Sequence, residues 1–242
     1  MHYDNYNREE RALCSHLFRL LHEKLADQPR ASALSMFIGI LAKNFNEIKS
    51  DKLSFTNIGV YAEVALIRDA YFVRKENANE FMNDLTRLIM AQEEVRDCRL
   101  YSELPSVLCN PRFTHPKQFR QKAKELDVHL SPNESRVYGA MQAMFNAKPD
   151  LAITIDNLLI SCEAKFTQNF DDGQLSRTQN ITTIWASELL HRDLGFTTPP
   201  KAIVVKIGTS GHITWDEVFE IQKHFSNQTT VRTLPFNLHH GY

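Results

Sequence analysis

The sequence predicts an α/β (α+β) protein in which helices flank a central mixed sheet. The first observation behind this prediction is the order of patterns along the chain, which is helix, strand, strand pair, helix, strand and helix. The second is the run Lys201–Ile207, which is apolar almost throughout, as expected of a central strand covered on both faces. The length of 242 residues suffices for one large α/β domain or for a core with a sizeable elaboration.

The overall composition is that of a globular protein without a strong charge field. Hydrophobic residues make up 43% of the chain and charged residues 24%, which is ordinary for a packed domain. The formal net charge is −1, so any nucleic-acid site must be a local basic patch. The sequence has neither a Walker-type lysine loop nor a GxGxxG pattern, and this argues against a nucleotide-driven motor.

The N-terminal segment and the cysteines bear on localisation. The first residues, MHYDNYNREER, are polar and lack the apolar centre of a signal peptide. The longest apolar stretch, Ala33–Ala42, is too short to span a bilayer and is predicted to be a buried helix. The cysteines form no CxxC pair: Cys14, Cys98, Cys109 and Cys162. We therefore expect a cytoplasmic protein with reduced thiols and no membrane association.

Residues 1–97 are predicted to form a mainly helical region packed on the core. Apolar residues recur at helical spacing in three segments of this region, 8–25, 57–74 and 76–95. The next segment, Cys98–Leu108, is predicted to be a strand, and with it begins the core, which we place at residues 98–242.

A basic insertion is predicted at about residues 111–146 of the core. Its second half, Pro132–Asn146, has a helical pattern. Positions 111–124 contain no acid and five basic residues: Arg112, Lys117, Arg120, Lys122 and Lys124. At helical spacing Lys117, Arg120 and Lys124 share one face. This face is the best candidate for a patch that follows a phosphate backbone, and a merely solvated helix face explains it equally well.

The strand pair lies in the segment KPDLAITIDNLLISCEAKF, Lys148–Phe166. Asp156 and Asn157 separate two apolar runs, and both residue types tolerate the positive φ that a two-residue hairpin turn requires. With this turn Ile155 faces Leu158, and the pairing continues outward. One side of the ribbon is then entirely apolar: Leu151, Ile153, Ile155, Leu158, Ile160 and Cys162.

The same register places two acids opposite each other at the open end of the hairpin. Asp150 faces Glu163, and Lys165 lies two residues farther along on the same side. Like charges in facing positions destabilise a strand pair, so we expect a divalent cation to offset the repulsion. Mg²⁺ prefers oxygen ligands and usually takes one or two carboxylates from a protein, with water and substrate phosphate as further ligands. A neighbouring lysine can orient a water or help to deprotonate it.

This arrangement resembles the PD-(D/E)xK nuclease superfamily, whose fold is restriction-endonuclease-like. The matching residues are Pro149, Asp150, Glu163, Ala164 and Lys165, and the resemblance covers roughly residues 132–207. It implies that Asp150 and Glu163 bind Mg²⁺, for which Mn²⁺ can substitute, and that the Ala164 carbonyl adds a ligand. It also implies that Lys165 serves the attacking water. A structural strand pair with solvated charges is the alternative.

The superfamily often has a glutamine in the helix that follows the Glu-x-Lys strand. Gln174, together with Leu175 and Arg177, resembles this feature. The resemblance implies that Gln174 orients the site or touches the phosphate backbone. It implies a contact with the phosphate backbone for Arg177 as well. A polar first turn of a surface helix is an equally good explanation.

A glutamate from an earlier helix often completes the metal site in this superfamily. Glu10 is the first candidate, because a first core helix followed by a strand at 98–108 gives the usual order of elements. Glu134, on the helix before the hairpin, and Glu103, on the predicted strand, are the others. Each of them, taken singly, is better explained as a solvated side chain.

The resemblance implies a metal-dependent nuclease that hydrolyses DNA and leaves 5′-phosphate and 3′-hydroxyl ends. The near-neutral charge and the helical elaboration favour a restriction or phage-defence endonuclease, or a nuclease subunit directed by a partner, over an indiscriminate scavenger. A nuclease of repair or recombination that acts on branched DNA and a non-catalytic DNA-binding subunit are the alternatives. The expected partners are DNA and either another protein or a second copy of the chain.

Overall fold

The computed structural model describes the backbone and side chains of residues 12–23, 25–110, 114–165, 170–186 and 198–225, and the backbone alone of residues 8–11 and 226. Over these residues the chain forms a mixed α/β structure, in which helices flank a mixed sheet of four strands. The predicted fold class is confirmed at this level.

The strands of the described sheet are β1 (Ile58–Ala62), β2 (Leu151–Ile155), β3 (Leu158–Ala164) and β4 (Lys201–Ile207), in that spatial order. The pairs β1–β2 and β2–β3 are antiparallel, and the pair β3–β4 is parallel. The start of β2 and the ends of β3 and β4 therefore meet at one end of the sheet. Strand β1, which comes from the region before residue 97, belongs to the same sheet.

Eight α-helices flank this sheet in the part of the chain that the structure describes. They are α1 (Arg8–Leu21), α2 (Ala33–Asn44), α3 (Leu66–Val73), α4 (Ala78–Gln92), α5 (Phe119–Glu125), α6 (Pro132–Asn146), α7 (Asp172–Ile184) and α8 (Trp215–Ser226). Helix α2 forms as predicted but buries one face, while Met36 on it is exposed, and α6 has the predicted bounds. None of the described helices is both long enough and apolar enough to pass through a bilayer.

The lower face of the sheet, which carries Ile153, Ile160 and Val205, packs on helices α1, α2 and α8. These residues share one buried cluster with side chains such as Leu17 of α1 and Phe37 of α2. The cluster removes a large apolar area from water, and this burial is the main force that holds the two layers together.

The upper face, which carries Ala152, Ser161 and Glu163, is covered in part by helix α7. Ala152 belongs to the second buried cluster, which also contains Ile181 of α7 and Phe145 of α6. Helices α3, α4 and α5 contribute to the same cluster, so the helices of the upper layer share one core with this face of the sheet.

The predicted hairpin register is confirmed. Ile155 pairs with Leu158, Ile153 with Ile160 and Leu151 with Cys162. Of the two turn residues, Asp156 has a positive φ of 50°. Its carboxylate also accepts hydrogen bonds from the amides of residues 54–56, which ties the turn to the segment before β1.

The predicted secondary structure was wrong for two segments, residues 57–74 and residues 98–108. Residues 57–74 form the strand β1 and the short helix α3 instead of one helix, because Val60 pairs with Ile153 and is buried in the lower cluster. Residues 98–108 are not a strand, since Tyr101–Glu103 form a 3-10 turn. The buried residues of this segment recur every three or four positions, unlike the alternation of a strand: Tyr101, Leu104 and Leu108.

The prediction that Lys201–Ile207 is a central strand was also wrong. This strand, β4, pairs with β3 alone among the described strands and so lies at an edge of that sheet. Its burial alternates, with Ile203, Val205 and Ile207 buried in the lower cluster and the other four positions half-buried or exposed. A nearly continuous apolar run can therefore also form an edge strand that has one buried face and one partly exposed face.

Candidate active site

Asp150 and Glu163 lie side by side at the end of the hairpin, as the predicted register requires. Asp150 directly precedes β2, and its amide donates a hydrogen bond of 3.1 Å to the carbonyl of Cys162. The Asp150 carboxylate accepts a hydrogen bond of 2.8 Å from the Ala164 amide, next to Glu163 in the chain. The structure therefore brings together the two acids that the sequence selected.

Glu163 is almost entirely removed from solvent, with 2% of its surface exposed. Both of its carboxylate oxygens accept hydrogen bonds from helix α7. The Thr178 hydroxyl donates to Oε1 and the Gln174 amide nitrogen donates to Oε2, each at 2.6 Å. A carboxylate offers about four acceptor positions, so these bonds leave room for further partners of Glu163.

The pKa of Glu163 is raised from its ordinary range to about 7. Burial of the carboxylate is the main cause, and the negative charge of Asp150 adds to it. The hydrogen bonds from Thr178 and Gln174 and the positive charge of Lys165 act in the opposite direction. The ionised form of Glu163 is therefore held in the fold at a cost, which a bound cation would reduce.

The backbone of Lys165 is fixed on both sides as it leaves β3. Its amide donates a hydrogen bond of 2.8 Å to the carbonyl of Ile207, and its carbonyl accepts one of 3.0 Å from the indole of Trp215. Gly208 approaches the same carbonyl so closely that a β-carbon there would lie 2.5 Å from the oxygen. A glycine at position 208 is thus required for Lys165 to occupy this place beside Glu163.

Helix α7 is positioned so that its first turns cover Glu163. The side chain of Asp171 caps the helix and accepts a hydrogen bond of 2.7 Å from the amide of Gln174. Deeper in the layer, the buried hydroxyl of Thr182 donates to Ser161 at 2.8 Å, which connects the helix to β3. These contacts fix the direction in which Gln174 and Thr178 point.

Thr178 and Lys206 are site residues that the sequence analysis missed. Thr178 had a usable signal, because it follows Gln174 by four positions and therefore shares its helix face. Lys206 pairs with Glu163 across β3 and β4, so the two side chains leave the sheet on the same face. Its ammonium group lies 5.5 Å from the centre of the Phe170 ring. The pairing of β3 with β4 is not visible in the sequence.

Glu134 is engaged by partners at the start of α6. Its carboxylate accepts hydrogen bonds from the Arg99 side chain at 2.5 and 2.9 Å and from the Ser131 amide at 2.8 Å, at the start of α6. The hydrogen bonds from Arg99 are the main cause that lowers its pKa to about 2. Along the helix axis Glu134 is about 18 Å from Asn146, the last residue of α6, and Asp150 follows Asn146 by four residues. The Glu134 carboxylate is thus already engaged by Arg99 and Ser131, and a role of Glu134 as a metal ligand stays a prediction.

Of the two other candidate glutamates, the structure describes the side chain of Glu103 but not that of Glu10. Glu103 ends a 3-10 turn instead of lying on a strand, and its carboxylate accepts a hydrogen bond of 2.7 Å from the Leu100 amide. Glu10 lies in α1, but its side chain is outside the described residues. A role of Glu10 as a metal ligand stays a prediction.

The predicted basic patch is exposed where the structure describes it. Lys117 lies in a 3-10 turn before α5, and Arg120 and Lys124 lie on α5 itself; all three are exposed. Arg177 is exposed on α7, one position before Thr178. Arg112 lies outside the described residues.

The donor set of the site fits a small hard cation. Asp150 and Glu163 supply two neighbouring carboxylates, which is the number that Mg²⁺ usually takes from a protein. The amide of Ala164 points toward Asp150, and in a strand the carbonyl of the same residue points to the same side, as the predicted ligand set requires. Nowhere in the described part of the chain do three or more His, Cys, Asp or Glu side chains form a cluster for a metal ion. Water and substrate phosphate would have to complete the shell.

Comparisons of the chain with protein-family models, with curated proteins and with solved structures found no match.

Proposed function

We propose that the protein is a metal-dependent nuclease of the PD-(D/E)xK type, with a restriction-endonuclease-like core, that hydrolyses phosphodiester bonds of DNA. The observation that supports this most is the position of Asp150 beside the buried Glu163. Asp150, Glu163 and Lys165 also follow one another along the chain in the order of the motif. A purely structural strand pair has no need to bury a carboxylate beside a second one.

The residues of the site fit Mg²⁺, with Mn²⁺ as a substitute. Asp150, Glu163 and the Ala164 carbonyl would hold the ion. When bound, the ion supplies positive charge that polarises the scissile phosphate and lowers the pKa of a coordinated water.

The other side chains have roles that follow from their positions. Lys165 would orient the attacking water or help to deprotonate it, and its charge favours the ionised form of Glu163. Gln174 and Thr178 hold the Glu163 carboxylate in one orientation. Lys206 lies on the same face of the sheet and offers a second positive charge to the phosphate.

The biological setting follows from weaker observations. The net charge of −1 does not favour indiscriminate binding of nucleic acid, and this supports a restriction or phage-defence endonuclease in the cytoplasm. Such an enzyme acts with a partner protein or as a homodimer when it cuts both strands. A repair or recombination nuclease that cuts branched DNA is the second candidate, and four-way junctions compared with plain duplex as substrates separate the two.

The proposal is tested by incubating plasmid and linear DNA with Mg²⁺ or Mn²⁺. We expect the wild-type protein to cleave, and Asp150→Asn, Glu163→Gln and Lys165→Ala to lose cleavage by a factor of about 100 or more. Asp172→Asn is the matched control, because Asp172 is an exposed acid in the first turn of α7. It should cleave like the wild type.

Two results would count against the proposal. Cleavage that persists unchanged in Asp150→Asn and Lys165→Ala would assign the activity to another site or to a contaminant. Calorimetry that detects no Mg²⁺ binding, even with DNA present, would favour a DNA-binding subunit without catalysis.

A further inference from the structure

An aromatic shelf lies on the surface of the upper layer, away from Asp150 and Glu163. It consists of Phe72, at the end of α3, and His115, directly before the 3-10 turn that leads into α5. The two ring centres are 5.8 Å apart. Phe72 is 51% exposed although it is a large apolar side chain, and its neighbour Val73 is 80% exposed. Two neighbouring apolar side chains exposed to this extent mark a candidate binding surface.

The shelf is held rigidly from below. The His115 ring contacts the rings of Tyr71 and Phe145 edge to face, at 6.0 and 5.8 Å, and both of these residues are buried. The Nδ1 atom of His115 accepts a hydrogen bond of 3.2 Å from the Lys117 amide, which fixes the ring's orientation. A ring that is fixed before binding loses little conformational entropy when a partner stacks on it.

Two positively charged side chains lie near the shelf. Arg68 and Lys117 are both close enough to lower the pKa of His115 by their charges, in addition to the larger effect of burial. Lys117 is exposed, and Arg68 is partly exposed with Asp69 as an ion-pair partner at 3.5 Å. Since the pKa of His115 is lowered, the ring is neutral at ordinary pH and can stack without a charge of its own.

An exposed ring with cations nearby matches the chemistry of an unpaired nucleic-acid strand. Each unpaired base offers a flat face for stacking, and each phosphate offers a negative charge to a neighbouring lysine or arginine. A duplex hides the faces of its bases inside the stack and offers only the charges.

We propose that Phe72 and His115, with Arg68 and Lys117, form a stacking site for an unpaired base of the nucleic-acid substrate. This inference rests on the proposed function, since it assigns to the nuclease a substrate that has a single-stranded part. Phe145, whose ring contacts His115, precedes Asp150 by five residues, which span at most about 18 Å. The shelf is thus within roughly 30 Å of the acids, a distance that fewer than about ten nucleotides cover at the spacing of a stacked strand.

The test compares two substitutions at one exposed position. Phe72→Leu keeps an apolar side chain and removes the aromatic face, whereas Phe72→Trp keeps the face. Fluorescence anisotropy in buffer with EDTA, where no cleavage occurs, is measured with labelled oligo(dT), oligo(U) and a DNA duplex of about 12 units each. The oligo(dT) and oligo(U) arms distinguish a DNA strand from an RNA strand.

We expect Phe72→Leu to weaken the binding of at least one single strand by about 5- to 150-fold, the range that loss of one stacked base gives. Phe72→Trp should bind like the wild type, and duplex binding should be the same for all three proteins. Equal binding of the single strands by wild type and Phe72→Leu would overturn the inference. The inference would also be overturned if Phe72→Leu and Phe72→Trp weakened strand binding equally, or if Phe72→Leu weakened duplex binding as much as strand binding. In either case the protein would not be recognising the base through an aromatic ring face. The inference is also overturned if neither single strand binds the wild type.

Asp150→Asn separates this inference from the proposed function. The variant should lose cleavage, and its binding of single strands should still weaken when Phe72→Leu is added. If no protein cleaves but strand binding depends on Phe72, the nuclease proposal fails and the stacking site stands. If cleavage depends on Asp150 but strand binding is independent of Phe72, only the stacking site fails.

Discussion

Thr178 donates a hydrogen bond of 2.6 Å to the carboxylate of Glu163, and both residues are buried. The bond joins helix α7 to strand β3 at the point where the site needs a charged group in one orientation. Hydrogen bonds to a charged group in a dry environment contribute more than those at the surface, so this contact matters both for the pKa of Glu163 and for its position.

The first prediction concerns Thr178→Val, which removes the hydroxyl and keeps the shape. Because the hydroxyl lowers the pKa of Glu163, its loss should raise that pKa further. The rising limb of the cleavage rate against pH should then move upward by about one pH unit, which corresponds to a hydrogen bond of about 1.5 kcal/mol to a charged group. Thr178→Ser should restore the wild-type profile.

Thr183→Val is the matched control for that experiment. Thr183 lies on the same helix, is exposed, and accepts its hydrogen bond from Gln179 instead of contacting Glu163. Its pH profile should equal that of the wild type. An unshifted profile for Thr178→Val would show that the threonine does not tune Glu163.

The second prediction is the effect of pH on stability without metal. The pKa of Glu163 is about 7 in the folded chain and lies near 4.5 when the residue is solvated. The folded state therefore binds the proton more tightly, and the resulting stability is present at acid pH and is lost as pH rises through about 7. Over this range Glu163 should destabilise the fold by up to about 3 kcal/mol.

Glu163→Gln provides the measurement of this effect. In urea unfolding with EDTA the variant should become more stable relative to the wild type as pH rises from about 5 to about 8. Adding Mg²⁺ at the higher pH should raise the melting temperature of the wild type and leave that of the variant unchanged. A stability difference that does not vary with pH would mean that Glu163 titrates in its ordinary range.

The hairpin was predictable because its geometry is local. The Asp156–Asn157 turn and the alternation of apolar residues fix which residues face each other, so Asp150 and Glu163 could be placed together from the sequence. Gln174 was predictable only by resemblance to a family pattern. In contrast, Lys206 reaches the site through the pairing of β3 with β4, and residues 57–74 divide into a strand and a helix because Val60 pairs with Ile153. Such contacts between distant segments leave no local pattern.

The third prediction assigns Glu134 to stability and not to catalysis. Glu134→Gln removes the charge that pairs with Arg99, so the free energy of unfolding at neutral pH should fall by about 1.5 to 3 kcal/mol. The pKa of Glu134 is lowered to about 2, so this contribution is present above the ordinary pKa of a glutamate and is lost as pH falls toward 2. Cleavage per folded molecule and its dependence on Mg²⁺ should not change.

Glu125→Gln is the comparison for the loss of a surface ion pair. Glu125 is exposed and pairs with Lys122 three positions earlier, and such pairs contribute little to stability. Urea unfolding should therefore distinguish the two variants clearly. A Glu134→Gln protein that is fully stable but inactive would return Glu134 to the list of metal ligands.

The fourth prediction concerns the basic face formed by Lys117, Arg120 and Lys124. If this face follows a phosphate backbone, each substitution by alanine should weaken duplex binding by a similar factor whatever the base sequence. Each should also reduce the slope of log affinity against log salt concentration by about 1, because one fewer counterion is released. Lys122→Ala is the control, since the ammonium of Lys122 already pairs with Glu125. If the salt slopes are the same for all four variants and the wild type, the face is a solvated surface. DNA would then have to reach Asp150 and Glu163 along another route, past the exposed Arg177 of α7.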